Sequence, residues 1–171
     1  MLRLPLCRQS TFVLVRPHYP ENVGAVARAI KTMGIVDLVL TKPGRLAVPE
    51  HEMARKMAVK SRDVLDAARI AATLREGLSG IDFAFATSSR RGVSGVLPLR
   101  VAAERALALA SDGQRIAFVF GNEKTGLSEE DRGLAQACLR IPMAAGQPSI
   151  NLAQAAQLVA YELFVTALAA R

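Results

Sequence analysis

The chain has 171 residues, 51% of them hydrophobic, enough for one domain with a sizeable core that needs no covalent or metal staple. Lys and Arg number 22 against 15 Asp and Glu, and the resulting charge of +7 favours a polyanionic partner. Aromatic residues make up only 5%, with no Trp, so a nucleic-acid binder of this composition is expected to work by charge and shape more than by rows of stacking platforms.

The amino-terminal "MLRLPLCRQS" is broken by Arg3, Pro5 and Arg8 before a secretory apolar region can form, which places the protein in the cytoplasm. Cys7 and Cys138 stand far apart, and no CxxC or His/Cys cluster suggests a disulfide framework or a zinc site. A first strand, "TFVLV" (11 to 15), leads through "RPHYPENVG" into an amphipathic helix over 23 to 33. Its apolar positions are Val23, Val26, Ala27, Ile30 and Met33. Asn22 stands where a cap would, and Gly34 stands where a helix stops. Gly24 and Arg28 lie one turn apart on the remaining face, where the glycine is expected to leave open space beside the guanidinium.

A second strand, "DLVL" (37 to 40), precedes a helical pattern over 50 to 76. The third strand, "IDFAFAT" (81 to 87), runs into "TSSRRGVSG", and a helix follows over 100 to 110. The fourth strand, "RIAFVF" (115 to 120), enters "GNEKTGLSEED". That loop fails as a P-loop, because Leu127 and Ser128 follow Gly126 where Lys and Ser or Thr are required; a GxGxxG dinucleotide fingerprint is absent as well. Ser128 with Asp131 makes a near capping box for a helix over 129 to 136, and Glu123 is left as a loop acid directly after a buried strand. The last strand, "CLRI" (138 to 141), is followed by "PMAAGQPSIN" and a helix over 152 to 170 with Asn151 in the cap position. The stretch from Ile141 to Tyr161 carries no charge, but its prolines, Gln and Asn residues argue against a membrane span; such a neutral loop suits a ligand held by backbone groups.

Apolar strands alternating with helices predict one α/β domain over 1 to 171, a parallel sheet covered on both faces. Ligands in such sheets bind beyond the carboxyl ends of the strands, which directs attention to the loops after Val15, Thr87, Phe120 and Ile141. His18 and His51 have no evident nucleophile and orienting group, so a triad mechanism is disfavoured.

Three segments in this order, "NVGAVARAIKTMG", "FVFGNEKTGLSEED" and "RIPMAAGQPSINLAQAAQLVAYEL", resemble the signature motifs of the SpoU/TrmH family of RNA ribose 2′-O-methyltransferases in the SPOUT superfamily. "HYPENVGAVARAIKTMG" and "INLAQAAQLVAYE" are closest to the branch that methylates a ribose in the tRNA anticodon loop. The resemblance implies a deep trefoil knot in the carboxyl-terminal part of the sheet, a homodimer, and S-adenosylmethionine as cofactor with no metal. It implies a cofactor pocket of Thr87, Ser88, Ser89, Gly121, Ile141, Met143, Pro148, Ser149 and Ile150. The catalytic group it implies is Arg28, Asn22, Glu123, Ser149 and Asn151, with Arg28 stabilising the developing alkoxide and able to pass a proton on. Arg16, Lys31, Arg90 and Arg91 are the expected phosphate contacts, joined by Arg55, Lys56 and Lys60 in a basic track. Competing expectations are a SPOUT-like RNA-binding dimer without turnover, a ribosomal RNA substrate, and an enzyme acting on a small acidic metabolite.

Overall fold

Every residue of β1 (Ser10–Val15) and β6 (Ile116–Phe120) is buried, and the two strands lie side by side in the middle of a seven-stranded sheet. The computed structural model describes residues 4–90, 92–144 and 150–171. The remaining strands are β2 (Asp37–Thr41), β3 (Arg69–Ala71), β4 (Phe83–Thr87), β5 (Val96–Pro98) and β7 (Ala137–Arg140). Their order is β3-β2-β1-β6-β4-β7-β5, and every pairing is parallel.

The period-two alternation of the strands sorts the core into two layers. Phe12, Leu14, Leu38, Leu40, Phe85, Phe118 and Phe120 point to one face. There they meet α1 (Pro5–Gln9), α2 (Pro20–Thr32), α3 (Glu52–Ala58), α6 (Leu99–Ser111) and α8 (Leu152–Ala169). Phe12 stacks on Phe120 with ring centroids 5.2 Å apart, and Phe85 on Phe118 at 5.3 Å, so aromatic packing knits the central strands. Val13, Val15, Val39, Ala84, Ala86, Ala117 and Val119 form the thinner layer on the other face with Leu74 of α5 (Leu74–Gly77) and with Leu127 just before α7 (Glu129–Gly133). Cys7 is a buried residue of α1 itself, and burial pushes its thiol up to about 11, which disfavours the reactive thiolate.

Several expectations are corrected by this arrangement. The pattern over 50 to 76 is not one helix: it divides into α3, α4 (Arg62–Asp66), β3 and α5. The break after α3 is a tight turn in which Ser61 N–H donates to the Ala58 carbonyl at 2.8 Å while Val59 takes φ 51°, ψ −112°. The edge strands β3 and β5 are three residues each, too short to display a period. Helix α2 starts earlier than its apolar stripe, because Pro20 supplies a preset φ at the first position with Tyr19 as cap residue; Asn22 therefore sits inside the first turn and does not cap. The expected stop at Gly34 holds. Its φ of 81° allows Gly34 N–H to reach Lys31 O and Ile35 N–H to reach Ile30 O, each at 3.0 Å.

Gly24 does not open space for a ligand. A β-carbon there would collide with the carbonyl of Ala54, because α2 and α3 cross with backbones in near contact at this point. Arg28, one turn on, is exposed.

Candidate active site

Because all strands are parallel, the loops after β1, β4, β6 and β7 share one edge of the sheet, and three of them enclose a cavity of about 350 Å³. Thr87, Ser88, Ser89 and Arg90 line it from the β4 loop, and the run from Phe120 to Leu127 from the β6 loop. Ile141, Met143, Ile150, Leu152 and Ala155 close the third side from the segment after β7 and the start of α8. The expected cofactor residues Thr87, Ser88, Ser89, Gly121, Ile141, Met143 and Ile150 are thus brought together, while Pro148 and Ser149 lie outside the described residues.

Local structure explains how each wall is held. Thr87 Oγ1 donates to Val119 O at 3.0 Å, and Ser88 N–H to Leu139 O at 2.9 Å, so the β4 loop hangs on both neighbouring strands. In the β6 loop, Asn122 Oδ1 accepts from the amides of Lys124 and Thr125, and Gly126 N–H returns to Asn122 O at 2.8 Å. Gly121 permits this fold-back, since a β-carbon at that position would strike the backbone of Gly126 and Leu127. The near capping box is a full one: Ser128 and Asp131 exchange bonds at 2.9 and 3.0 Å.

Beside the cavity runs a polar chain that sequence periodicity alone does not reveal. Glu123 Oε2 accepts from His18 N–H at 2.8 Å, and its Oε1 accepts from Tyr19 N–H at 3.3 Å and from Asn22 Nδ2 at 2.9 Å. A carboxylate only accepts, so the Asn22 amide is fixed with its oxygen turned away. That oxygen accepts from Asn151 Nδ2 at 3.0 Å, and Asn151 Oδ1 in turn caps α8 by accepting from Ala153 N–H and Gln154 N–H. Glu123, Asn22 and Asn151, expected as catalytic, therefore form one hydrogen-bonded unit that joins three segments remote in sequence. Arg28 is not part of it. It lies six residues beyond Asn22, about 9 Å along α2, and does not line the cavity.

The expected phosphate contacts fare unequally. Arg16 is engaged internally, its Nη2 2.5 Å from Asp131 Oδ2, while its carbonyl accepts from Asn122 Nδ2 at 2.6 Å. Burial raises the Asp131 carboxyl, but hydrogen bonds from Arg16 and Ser128 outweigh that and hold it down at about 2. Lys31 is likewise committed, with Nζ 2.6 Å from Asp63 Oδ1 and 2.9 Å from Lys60 O. Arg90 lines the cavity, Arg140 donates to its carbonyl, and Arg91 lies outside the described residues. Lys124 and Arg132, which the sequence did not single out, also line the cavity. His51 caps α3 through Nδ1 at 3.2 Å from Met53 N, a structural task.

A pocket of this size at the carboxyl edge of a parallel sheet, with apolar side chains facing a few fixed polar groups, is a small-ligand site of a parallel α/β protein. The chain belongs to the SpoU rRNA Methylase family, whose profile matches residues 9–161. It is 38% identical over 161 residues to tRNA (cytidine/uridine/adenosine-2′-O-)-methyltransferase TrmJ of Pseudomonas aeruginosa, covering 93% of this chain and 62% of that protein. The crystal structure of a probable methyltransferase from Bordetella pertussis superposes with a TM-score of 0.90 at 34% identity, covering 94% of this chain and 97% of the other. TrmJ from Z. mobilis superposes with a TM-score of 0.82 at 33% identity, covering 92% and 69%. The chain spans less than two thirds of the length of the TrmJ proteins from P. aeruginosa and Klebsiella pneumoniae, at 62% and 64%.

Proposed function

We propose that the protein transfers a methyl group from S-adenosylmethionine to the 2′-oxygen of a ribose in RNA, and that the RNA is a tRNA methylated in its anticodon loop. The observation that carries this reading is the junction of the cavity with the Glu123, Asn22 and Asn151 chain, since it sets a small-ligand pocket against a rigid polar edge. The tRNA 2′-O-methyltransferase activity of the TrmJ relatives supports the choice of substrate.

The residues present fit the cofactor. Ile141, Met143, Ile150 and Leu152 offer apolar cover, and the hydroxyls and amides of the β4 and β6 loops offer polar fixtures. When bound, S-adenosylmethionine supplies an electrophilic methyl on a sulfonium. This chain's own residues must hold the ribose hydroxyl in line and stabilise its oxygen as charge develops. Asn22 and Asn151, oriented by Glu123, do the positioning, and Ser149 joins them. Arg28 supplies the positive charge. Since Arg28 does not line the cavity of its own chain, the reading includes a homodimer in which a second copy brings that guanidinium to the site. The exposed stripe Leu158, Tyr161 and Leu168 on α8 supports such a contact. A trefoil knot belongs to the same reading. It is supported by the late strands β6 and β7, which enter between strands formed earlier in the chain. So do a cytoplasmic location and a single domain over 1 to 171.

A second reading, a ribosomal RNA ribose as substrate, is favoured by the family's own description. Incubation with methyl-labelled S-adenosylmethionine and either unmodified tRNA or ribosomal RNA, followed by digestion to nucleosides, separates the two. A labelled 2′-O-methyl nucleoside from tRNA establishes the first; label confined to ribosomal RNA establishes the second, and label in neither overturns both.

A further inference from the structure

The chain contains six Phe and two Tyr. Phe12, Phe85, Phe118 and Phe120 are fully buried, Phe83 lies beneath the guanidinium of Arg105 at 4.6 Å, and Phe164 packs against the core. The two tyrosines are exposed, Tyr161 within the apolar stripe of α8 and Tyr19 in quite different company. The His18 ring meets Tyr19 edge to face with centroids 4.7 Å apart. The ammonium of Lys124 stands 5.7 Å from the Tyr19 ring centroid and 3.3 Å from His18 Nε2.

This cluster does no work for the core, since Tyr19 is 42% exposed. Yet it is held firmly. The amides of His18 and Tyr19 both donate to Glu123, the residue before Lys124, and Lys124 lines the cavity. An exposed ring beside a cation, pinned by its own backbone at the mouth of a pocket, is built to receive a planar group bearing negative charge. A nucleobase with its phosphate has that form, and base stacking on a tyrosine does not depend on base identity. We propose that Tyr19 is a stacking platform for an RNA base next to the methylated ribose and that Lys124, steadied by His18, takes the adjoining phosphate. The inference rests on the RNA-methylating reading above and adds to it a substrate-docking element at the rim of the pocket. A single platform is consistent with a chain poor in aromatic residues.

Binding of fluorescent tRNA to the full chain, measured by anisotropy with S-adenosylhomocysteine present, tests the platform separately from turnover. Tyr19→Ala is expected to weaken binding about tenfold or more, and Tyr19→Phe to bind as wild type. Lys124→Ala is expected to reduce the slope of log affinity against log salt by about one. Calorimetric affinity for S-adenosylhomocysteine is expected to stay unchanged in the two Tyr19 variants, whose side chain does not line the cavity, which shows that the pocket is folded. Equal tRNA affinity in wild type and Tyr19→Ala overturns the platform, as does equal weakening in Tyr19→Ala and Tyr19→Phe. If wild type binds tRNA with this pattern but transfers no methyl group, the enzymatic reading falls and the docking platform stands.

Discussion

Asn151 Nδ2 donates to Asn22 Oδ1 at 3.0 Å and ties the start of α8 to the first turn of α2, across 129 residues of chain. The other atom of the same amide, Asn151 Oδ1, caps α8, so one side chain both begins a helix and anchors a site.

The two tasks are separable. Asn151→Asp keeps the capping oxygens but turns a second carboxylate oxygen toward Asn22 Oδ1, which Glu123 prevents from flipping. It is expected to melt within a few degrees of wild type yet lose most methyl transfer. Asn151→Ala loses both, and chemical denaturation should show a further cost of about 1 kcal/mol from the missing cap.

Acid sensitivity should centre on the Arg16 and Asp131 pair. The Asp131 carboxyl sits at about 2 in the folded protein against an ordinary 3.8, so the folded state favours the charged form. Its contribution is fully present above pH 5 and is lost as pH falls from about 4 toward 2, amounting to about 2 kcal/mol. Denaturation measured from pH 6 to pH 2 should show that loss in wild type and not in Asp131→Asn.

Arg28→Ala is expected to bind S-adenosylmethionine as wild type does in calorimetry, while methyl transfer falls roughly a hundredfold or more, as expected when a group stabilising transition-state charge is removed. Equal loss of cofactor affinity would assign the arginine to pocket structure instead.

Gly24→Ala adds a methyl group where the Ala54 carbonyl leaves no room. A loss of about 2 kcal/mol in unfolding free energy is expected, despite alanine's better helix propensity, because α2 and α3 must separate. A neutral substitution would mean that α2 and α3 separate at this crossing without cost.

Val59 is the opposite case. Its φ of 51° is costly for a β-branched residue and ordinary for glycine at this turn position. Val59→Gly is expected to raise stability by about 1 kcal/mol with cofactor affinity unchanged, read by thermal and urea unfolding.

What the sequence determined by itself was whatever depends on neighbours in the chain. The short apolar runs "TFVLV" and "RIAFVF" marked buried strands, Gly34 marked a helix end, and Ser128 with Asp131 marked a helix start. Motif order carried the family, and the resemblance implied one pocket for Thr87, Gly121 and Ile141. Tertiary structure decided what depends on partners remote in sequence. Asn22 occupies the place of a cap by local pattern, but Pro20 starts the helix and a carboxylate 101 residues away gives the amide its partner. Gly24 looked like cleared space because a sequence shows what a glycine lacks and not what fills the gap, here the backbone of α3. Arg16 and Lys31 read as free cations until the fold set Asp131 and Asp63 beside them. The strands β3 and β5 were invisible for the same reason, since three residues become a strand only when a neighbouring strand offers its unpaired edge.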